Sequence, residues 1–192
     1  MHDKDIVTLV RAYATDPAMG DALLGQRPDL LNARTGLGET PIHLLCHGES
    51  VAAVRALLAH GPDINTLNFC GGSPLSEAAL IGRESIVQML LENGALLSIP
   101  NQDEPTLQQA IRSGNVRLVE LILDAGAPVD ERGPLNQTAL HLAVENDRVE
   151  IAALLIARGA DPSALNGFNE SALEIARGHE SAGCLQLLKR VH

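Results

Sequence analysis

The chain has 192 residues, 45% of them hydrophobic and only 2% aromatic, with a formal charge of -10. That length buries a sizeable core, so a disordered chain is excluded and one domain is the expected count; the lack of rings makes the core aliphatic. Lys4 and Lys189 are the only lysines and the arginines form no stripe, which excludes a nucleic-acid footprint built on clustered cations and suits encounter with a basic protein partner.

Further classes fall at the N-terminus and the cysteines. The opening Met1-His2-Asp3-Lys4-Asp5-Ile6 has early acids and no apolar core of a signal peptide, and no run is long enough for a membrane span. Cys46, Cys70 and Cys184 are odd in number and lack CxxC spacing, so neither a disulfide framework nor a zinc site is indicated. A cytoplasmic protein is expected; a secreted effector with an uncleaved signal would carry the same features.

Along the chain, Ile6, Leu9, Val10 and Tyr13 share one helical face over residues 3–39, and Leu23 and Leu24 mark a second helix. Then one pattern recurs. Thr40-Pro41-Ile42-His43, Ser73-Pro74-Leu75-Ser76, Pro105-Thr106-Leu107-Gln108, Thr138-Ala139-Leu140-His141 and Ser171-Ala172-Leu173-Glu174 begin 33, 32, 33 and 33 positions apart, a period that means stacked repeats. In the unit from Ser73, the small polar residue and Pro74 open a short helix. Leu75, Ala78 and Ala79 give it an apolar face and Gly82 ends it. Ile86, Val87, Leu90 and Leu91 form a second amphipathic helix, which stops at Gly94.

Equivalent aliphatics and glycines recur at Val54, Leu57, Leu58 and Gly61, at Leu118, Val119, Ile122, Leu123 and Gly126, and at Ile151, Ala152, Leu155, Ile156 and Gly159. Each unit is a helix hairpin too small to bury its own faces, so it is stable only between neighbours. About ten residues rich in Asn, Asp, Gly and Pro separate consecutive hairpins, which predicts a projecting turn. The expected units are 3–39, 40–72, 73–104, 105–137, 138–170 and 171–192, the first degenerate and the last capped by a polar Lys189.

The pattern resembles the ankyrin repeat, whose T-P-L-H-x-A, mid-unit glycine, paired aliphatics and G-A-D are met piecewise from Thr138 to Asp161 and from Ser73 to Ala95. The resemblance covers roughly residues 20–192 and implies an all-α solenoid, curved, of helix-turn-helix repeats with projecting β-turns. Three departures stand out. Leu45 and Cys46 replace two alanines, Pro62 follows Gly61, and the segment from Gly94 to Pro105 is one residue short, with Pro100 and Asp103 where a turn glycine belongs. An altered turn before Pro105 is expected.

Chemistry is thin. His43, Cys46 and His47 are the only dense set of potential ligands, and a fourth is missing; His43, as the histidine of the repeat motif, is expected to bond to the adjoining turn. Ser76, Ser85 and Ser113 have no neighbouring histidine and no GxxxxGK[ST] loop occurs. No enzyme and no cofactor are expected. In ankyrin-like arrays the turn tips and the exposed side of the first helix line a concave surface that grips proteins. By register the resemblance places Leu37, Glu39, Phe69, Cys70, Leu80, Ile81, Gln102, Glu104, Arg112, Leu135, Gln137, Glu145, Phe168 and Glu170 on it. Both phenylalanines are among them, as apolar anchors, and the glutamates form an acidic rim.

The expected function is therefore non-catalytic binding of a protein partner by a monomeric array. A dedicated inhibitor that occludes an enzyme or toxin, as an immunity protein does, is the alternative within that class. A metal-dependent module at His43 and His47 is the weaker reading from another class.

Overall fold

A computed structural model describes residues 3–190; Met1 and His2, part of the N-terminal stretch read above, and Val191 and His192, the end of the last expected unit, lie outside the described residues. Those described form twelve α-helices and two 3₁₀ turns, with no strand among them. The chain divides after Gln102 into two compact units.

The first unit contains α1 (Asp3–Thr15), α2 (Pro17–Gln26), α3 (Pro41–His47), α4 (Val51–Leu58), α5 (Pro74–Ile81) and α6 (Glu84–Glu92). Odd helices pack in one layer, α1 on α3 and α3 on α5, and even helices in a second, α2 on α4 and α4 on α6. Helices of seven to ten residues are marginal alone. They persist here because Leu57, Leu75, Ile86 and Leu90 are buried between hairpins, each removal of such a side chain from water contributing roughly 1.5–3 kcal/mol.

Local sequence sets each boundary. Ser73 caps α5 by accepting the Ser76 N–H at 3.1 Å while the Ser76 hydroxyl accepts the Ser73 N–H at 2.9 Å. Pro74 takes the first helical position, and Gly82 closes the helix at φ +78°, a conformation open to glycine. In the degenerate first hairpin, Tyr13 lies flat over Gly20, where an added Cβ would sit 2.3 Å from the ring. Glycine at that position thus sets how closely α1 and α2 approach. The Tyr13 hydroxyl donates to Asp21, which also accepts from His60 just beyond α4. Leu45 and Cys46 are both buried.

The second unit repeats the plan with α7 (Thr106–Ser113), α8 (Val116–Asp124), α9 (Ala139–Glu145), α10 (Val149–Ala157), α11 (Ala172–Gly178) and α12 (Ala182–Leu188). Its layers are α7, α9 and α11, and α8, α10 and α12. Asp147 stands at φ +47° where the earlier hairpins have Gly82 and Gly114. Its carboxylate accepts the Cys184 N–H at 3.0 Å, near the start of α12. An interhairpin cap thus replaces the easier backbone of glycine.

Within the units the connecting segments are tied at nearly one-repeat intervals. Asn32 accepts the Asp63 N–H at 2.9 Å, Asn65 the Leu96 N–H at 2.8 Å and Asp130 the Asp161 N–H at 3.2 Å. The segment after α6 departs as expected. Gln102 N–H donates to the Ile99 carbonyl at 3.0 Å with Pro100 second and Asn101, at φ +67°, third, the residue placement of a type II turn. Asparagine there does the work of the missing glycine.

Candidate functional site

Four projecting turns share one hydrogen-bond pattern, spanning residues 35–39, 68–72, 133–137 and 166–170. In each the first N–H donates to the fifth carbonyl and the fourth N–H to the first carbonyl, as in Asn68 to Gly72 at 2.8 Å and Gly71 to Asn68 at 3.0 Å. The first side chain shapes three of them from inside. Asn68 Oδ1 accepts the N–H groups of Cys70 and Gly72, Asn166 Oδ1 those of Phe168 and Glu170, and Thr35 Oγ1 those of Leu37 and Glu39.

This geometry places the expected apolar anchors at the surface. The third tip position carries Leu37, Cys70, Leu135 and Phe168, all exposed. Phe69 occupies the second position and is 73% exposed, yet its ring lies over Gly38 of the preceding turn, where an added Cβ would meet it at 2.6 Å. Phe69 N–H also donates to the Leu37 carbonyl at 2.9 Å, and in the second unit Gly167 N–H donates to Leu135 at 2.7 Å. Each unit therefore presents a pair of linked apolar tips, Leu37 with Phe69 and Leu135 with Phe168. Leu80 and Ile81 at the end of α5 are exposed as well.

The acidic rim is different. Glu104 is a correction: expected on the surface, it is 6% exposed and lies beneath the Arg112 guanidinium, which reaches its two oxygens at 2.8 and 2.9 Å. A carboxylate so close to the core needs that cation, so Arg112, though itself exposed, spends its charge inward. Glu39 is half-buried with an oxygen 3.4 Å from Thr35 Oγ1, and Glu170 accepts from the Asn166 amide at 3.3 Å, so both clamp their own turns. Glu145 is exposed, 3.5 Å from Gln137 Nε2. Gln102 and Gln137 are half-buried.

The histidines also face inward. The Thr40 N–H donates to His43 Nδ1 at 3.2 Å, which leaves Nε2–H to donate to the Gly72 carbonyl at 3.2 Å. His141 repeats this with Thr138 at 3.1 Å and Glu170 at 3.1 Å. Burial, which disfavours the cation, lowers the pKa of both. His47 instead bonds to Glu77 at 3.1 Å, and that carboxylate raises its pKa while its own falls. Both His43 nitrogens are thus committed, and among the described residues no three His, Cys, Asp or Glu side chains converge as a metal would need. The Cys46 thiol is pushed up by burial, and that of Cys184 up to about 12; Cys70 is the exposed one.

Sequence reasoning missed the arginines that staple the turns. Arg34 Nη1 donates to the carbonyls of Gly38 and Leu67 at 3.0 and 2.7 Å, with Nη2 on Thr66 Oγ1. Arg132 Nη1 does the same to Asn136 and Leu165 at 2.9 and 2.8 Å. The two arginines fall at the same place in the repeat, directly before a turn, a signal that register could have supplied.

A family model described as ankyrin repeats (3 copies) matches residues 9–103 and 96–166. The nuclear factor NF-kappa-B p105 subunit of Gallus gallus is 28% identical over 167 residues, covering 84% of this chain and 17% of its own length. The B-cell lymphoma 3 protein homolog of Mus musculus is 30% identical over 147 residues, 73% of this chain and 33% of its own. The neurogenic locus notch homolog protein 1 of Xenopus laevis is 30% identical over 155 residues, 80% of this chain and 6% of its own. The chain thus spans a third or less of these relatives.

Proposed function

The chain belongs to the ankyrin repeat family, and from that premise we propose that it binds a protein partner, without catalysis, through its turn tips and the exposed side of its first helices. The observation that carries this is the exposure of Phe69 and Phe168, 73% and 64%, in a protein whose only buried aromatic side chain among the described residues is Tyr13. A ring on an ordered turn offers apolar area at little entropic cost to binding. Around these anchors the first unit presents Leu37, Glu39, Cys70, Leu80, Ile81 and Gln102, and the second unit by itself presents Arg112, Leu135, Gln137, Glu145 and Glu170.

A partner with aliphatic and basic character fits this surface. Glu145 and the formal charge of -10 support the basic part, although Glu39, Glu104 and Glu170 contribute less than their number suggests because each already has a partner within the protein. A cytoplasmic role as an adaptor or an occluding inhibitor is the finer form of the same reading.

The test is a double substitution, Phe69→Ala with Phe168→Ala, followed by thermal unfolding and affinity capture from the source cells. The midpoint of unfolding is expected to stay nearly unchanged while retention of the partner falls at least ten-fold, in keeping with two truncated anchors. Unchanged retention would remove this surface from the reading, and a collapse in stability would make the rings packing elements. Arg158→Ala, which severs the exposed pairs with Glu120 and Asp124, is the control that should do neither.

A further inference from the structure

Two histidines on α3, four residues apart, both support the turn that carries Phe69, and they reach it by different routes. His43 holds the last residue of the turn directly, Nε2–H to the Gly72 carbonyl at 3.2 Å. His47 holds the first through a relay: it bonds to Glu77 Oε2 at 3.1 Å, and the other oxygen of Glu77 accepts from the Asn68 amide at 3.0 Å. Asn68 Oδ1 in turn accepts the N–H groups of Cys70 and Gly72, both at 2.9 Å. The turn at 166–170 lacks the relay. There Glu170, in the turn itself, holds Asn166, and only His141 is attached. Gly72 occupies the place of Glu170, so its clamp comes from α5, with Oε1 of Glu77 close against the glycine.

We propose that His43 and His47 form a two-sided pH gate on the Phe69 turn, which is held most firmly near neutral pH and loosened by acid at one end and by base at the other. On the acid side, a second proton on His43 must go to Nδ1, where the Thr40 N–H already points; that N–H loses its acceptor while Nδ1–H turns to the Thr40 hydroxyl 2.9 Å away, so the start of α3 loses the histidine half of its capping box. On the basic side, His47 loses its proton, its bond to Glu77 loses charge assistance, and its remaining hydrogen is free to move to the other nitrogen. Glu77 is then less firmly placed, and Asn68 with it.

Other charges near the pair are few. Glu39 faces His47 from the preceding turn and Arg34 faces His43. Arg83, paired with Glu49, reaches the His47 carbonyl at 3.4 Å. Cys46, between the two histidines, is a buried neutral thiol. The shifts agree with the geometry: His43 is depressed by burial and His47 raised by Glu77, on either side of the ordinary 6.5. The gate concerns the turn itself, so it stands or falls independently of any partner at Phe69.

The experiment is amide hydrogen exchange followed by NMR from pH 5 to pH 8.5, with protection expressed relative to the unfolded-chain rate at each pH. Protection of the Cys70 and Gly72 amides should peak near pH 6.5–7 and fall roughly five-fold on each side, as expected for losing a charge-assisted bond or a cap. Phe168 and Glu170 should show the acid fall alone. His47→Gln, which keeps a neutral donor towards Glu77, should abolish the basic fall and leave the acid one. Flat protection at residues 70 and 72, protection too weak to measure at its maximum, a basic fall that survives in His47→Gln, or the same two-sided profile at residues 168 and 170 would each overturn the proposal.

Discussion

Leu135 takes φ +55° and its neighbour Asn136 φ +56°. Asparagine tolerates the left-handed region, whereas a leucine there is strained by its Cβ. The side chain is 61% exposed, so no burial offsets the strain, and such a residue points to a role outside folding. Leu135→Gly is therefore expected to raise stability by roughly 0.5 kcal/mol, the relief of the strain less the added freedom of the unfolded chain. Partner retention should drop at the same time. Chemical denaturation and affinity capture read the two effects separately, and a loss of both would show that the leucine packs. Its apolar character and place in the repeat were legible in the sequence; its conformation was not, because a sequence reading puts glycine or asparagine in such turns. Glu104 was misplaced for a related reason. Register locates a residue on the repeat, but only three-dimensional packing reveals that Arg112 folds over it.

At the scale of elements, the hairpins were readable because capping residues, aliphatic pairs and glycines act locally and recur. The ties between successive turns are legible only in the shared register of Arg34 and Arg132, since a single-repeat reading has no place for a contact one period away. Arg132 shows the consequence. Its guanidinium bridges the carbonyls of Asn136 and Leu165, one on each of two successive repeats. Arg132→Met retains the aliphatic stem and removes the donors, so hydrogen exchange at Gly167, Phe168 and Asn169 is expected to quicken several-fold while the global unfolding midpoint scarcely moves. A drop in the midpoint comparable to that from a core substitution would assign the arginine to the hairpin core. The same argument makes Asp147 more than a misplaced glycine, because its carboxylate caps the next hairpin.

For the whole molecule, the buried histidines set a dependence on pH. His43 and His141 are neutral when folded, with pKa values depressed by burial below the ordinary 6.5. Above pH 6.5 their contribution is complete. As pH falls further, the unfolded chain takes up protons first and stability declines until the folded pKa values are passed, by at most about 1.4 kcal/mol per pH unit for each group. His47, whose pKa is raised, acts in the opposite sense and loses its contribution as pH climbs through its folded value. The two windows meet at the ordinary 6.5, so below it the depressed pair alone sets a decline towards acid. Urea unfolding from pH 7 to pH 5 should show it, and His141→Gln should lower stability at pH 7 while flattening the slope. An unchanged slope would mean that His141 does not titrate on unfolding.

The ties that staple each turn to the next also bear on how the chain reaches its folded state. Asn32 binds Asp63, Arg34 binds Leu67 and Arg132 binds Leu165, all 31 to 33 positions ahead. Such contacts keep the loop closures within each unit short, and low contact order goes with rapid folding. Within each unit, a chain of this kind can dock one hairpin on the one before it as synthesis proceeds, without waiting for distant segments to emerge from the ribosome.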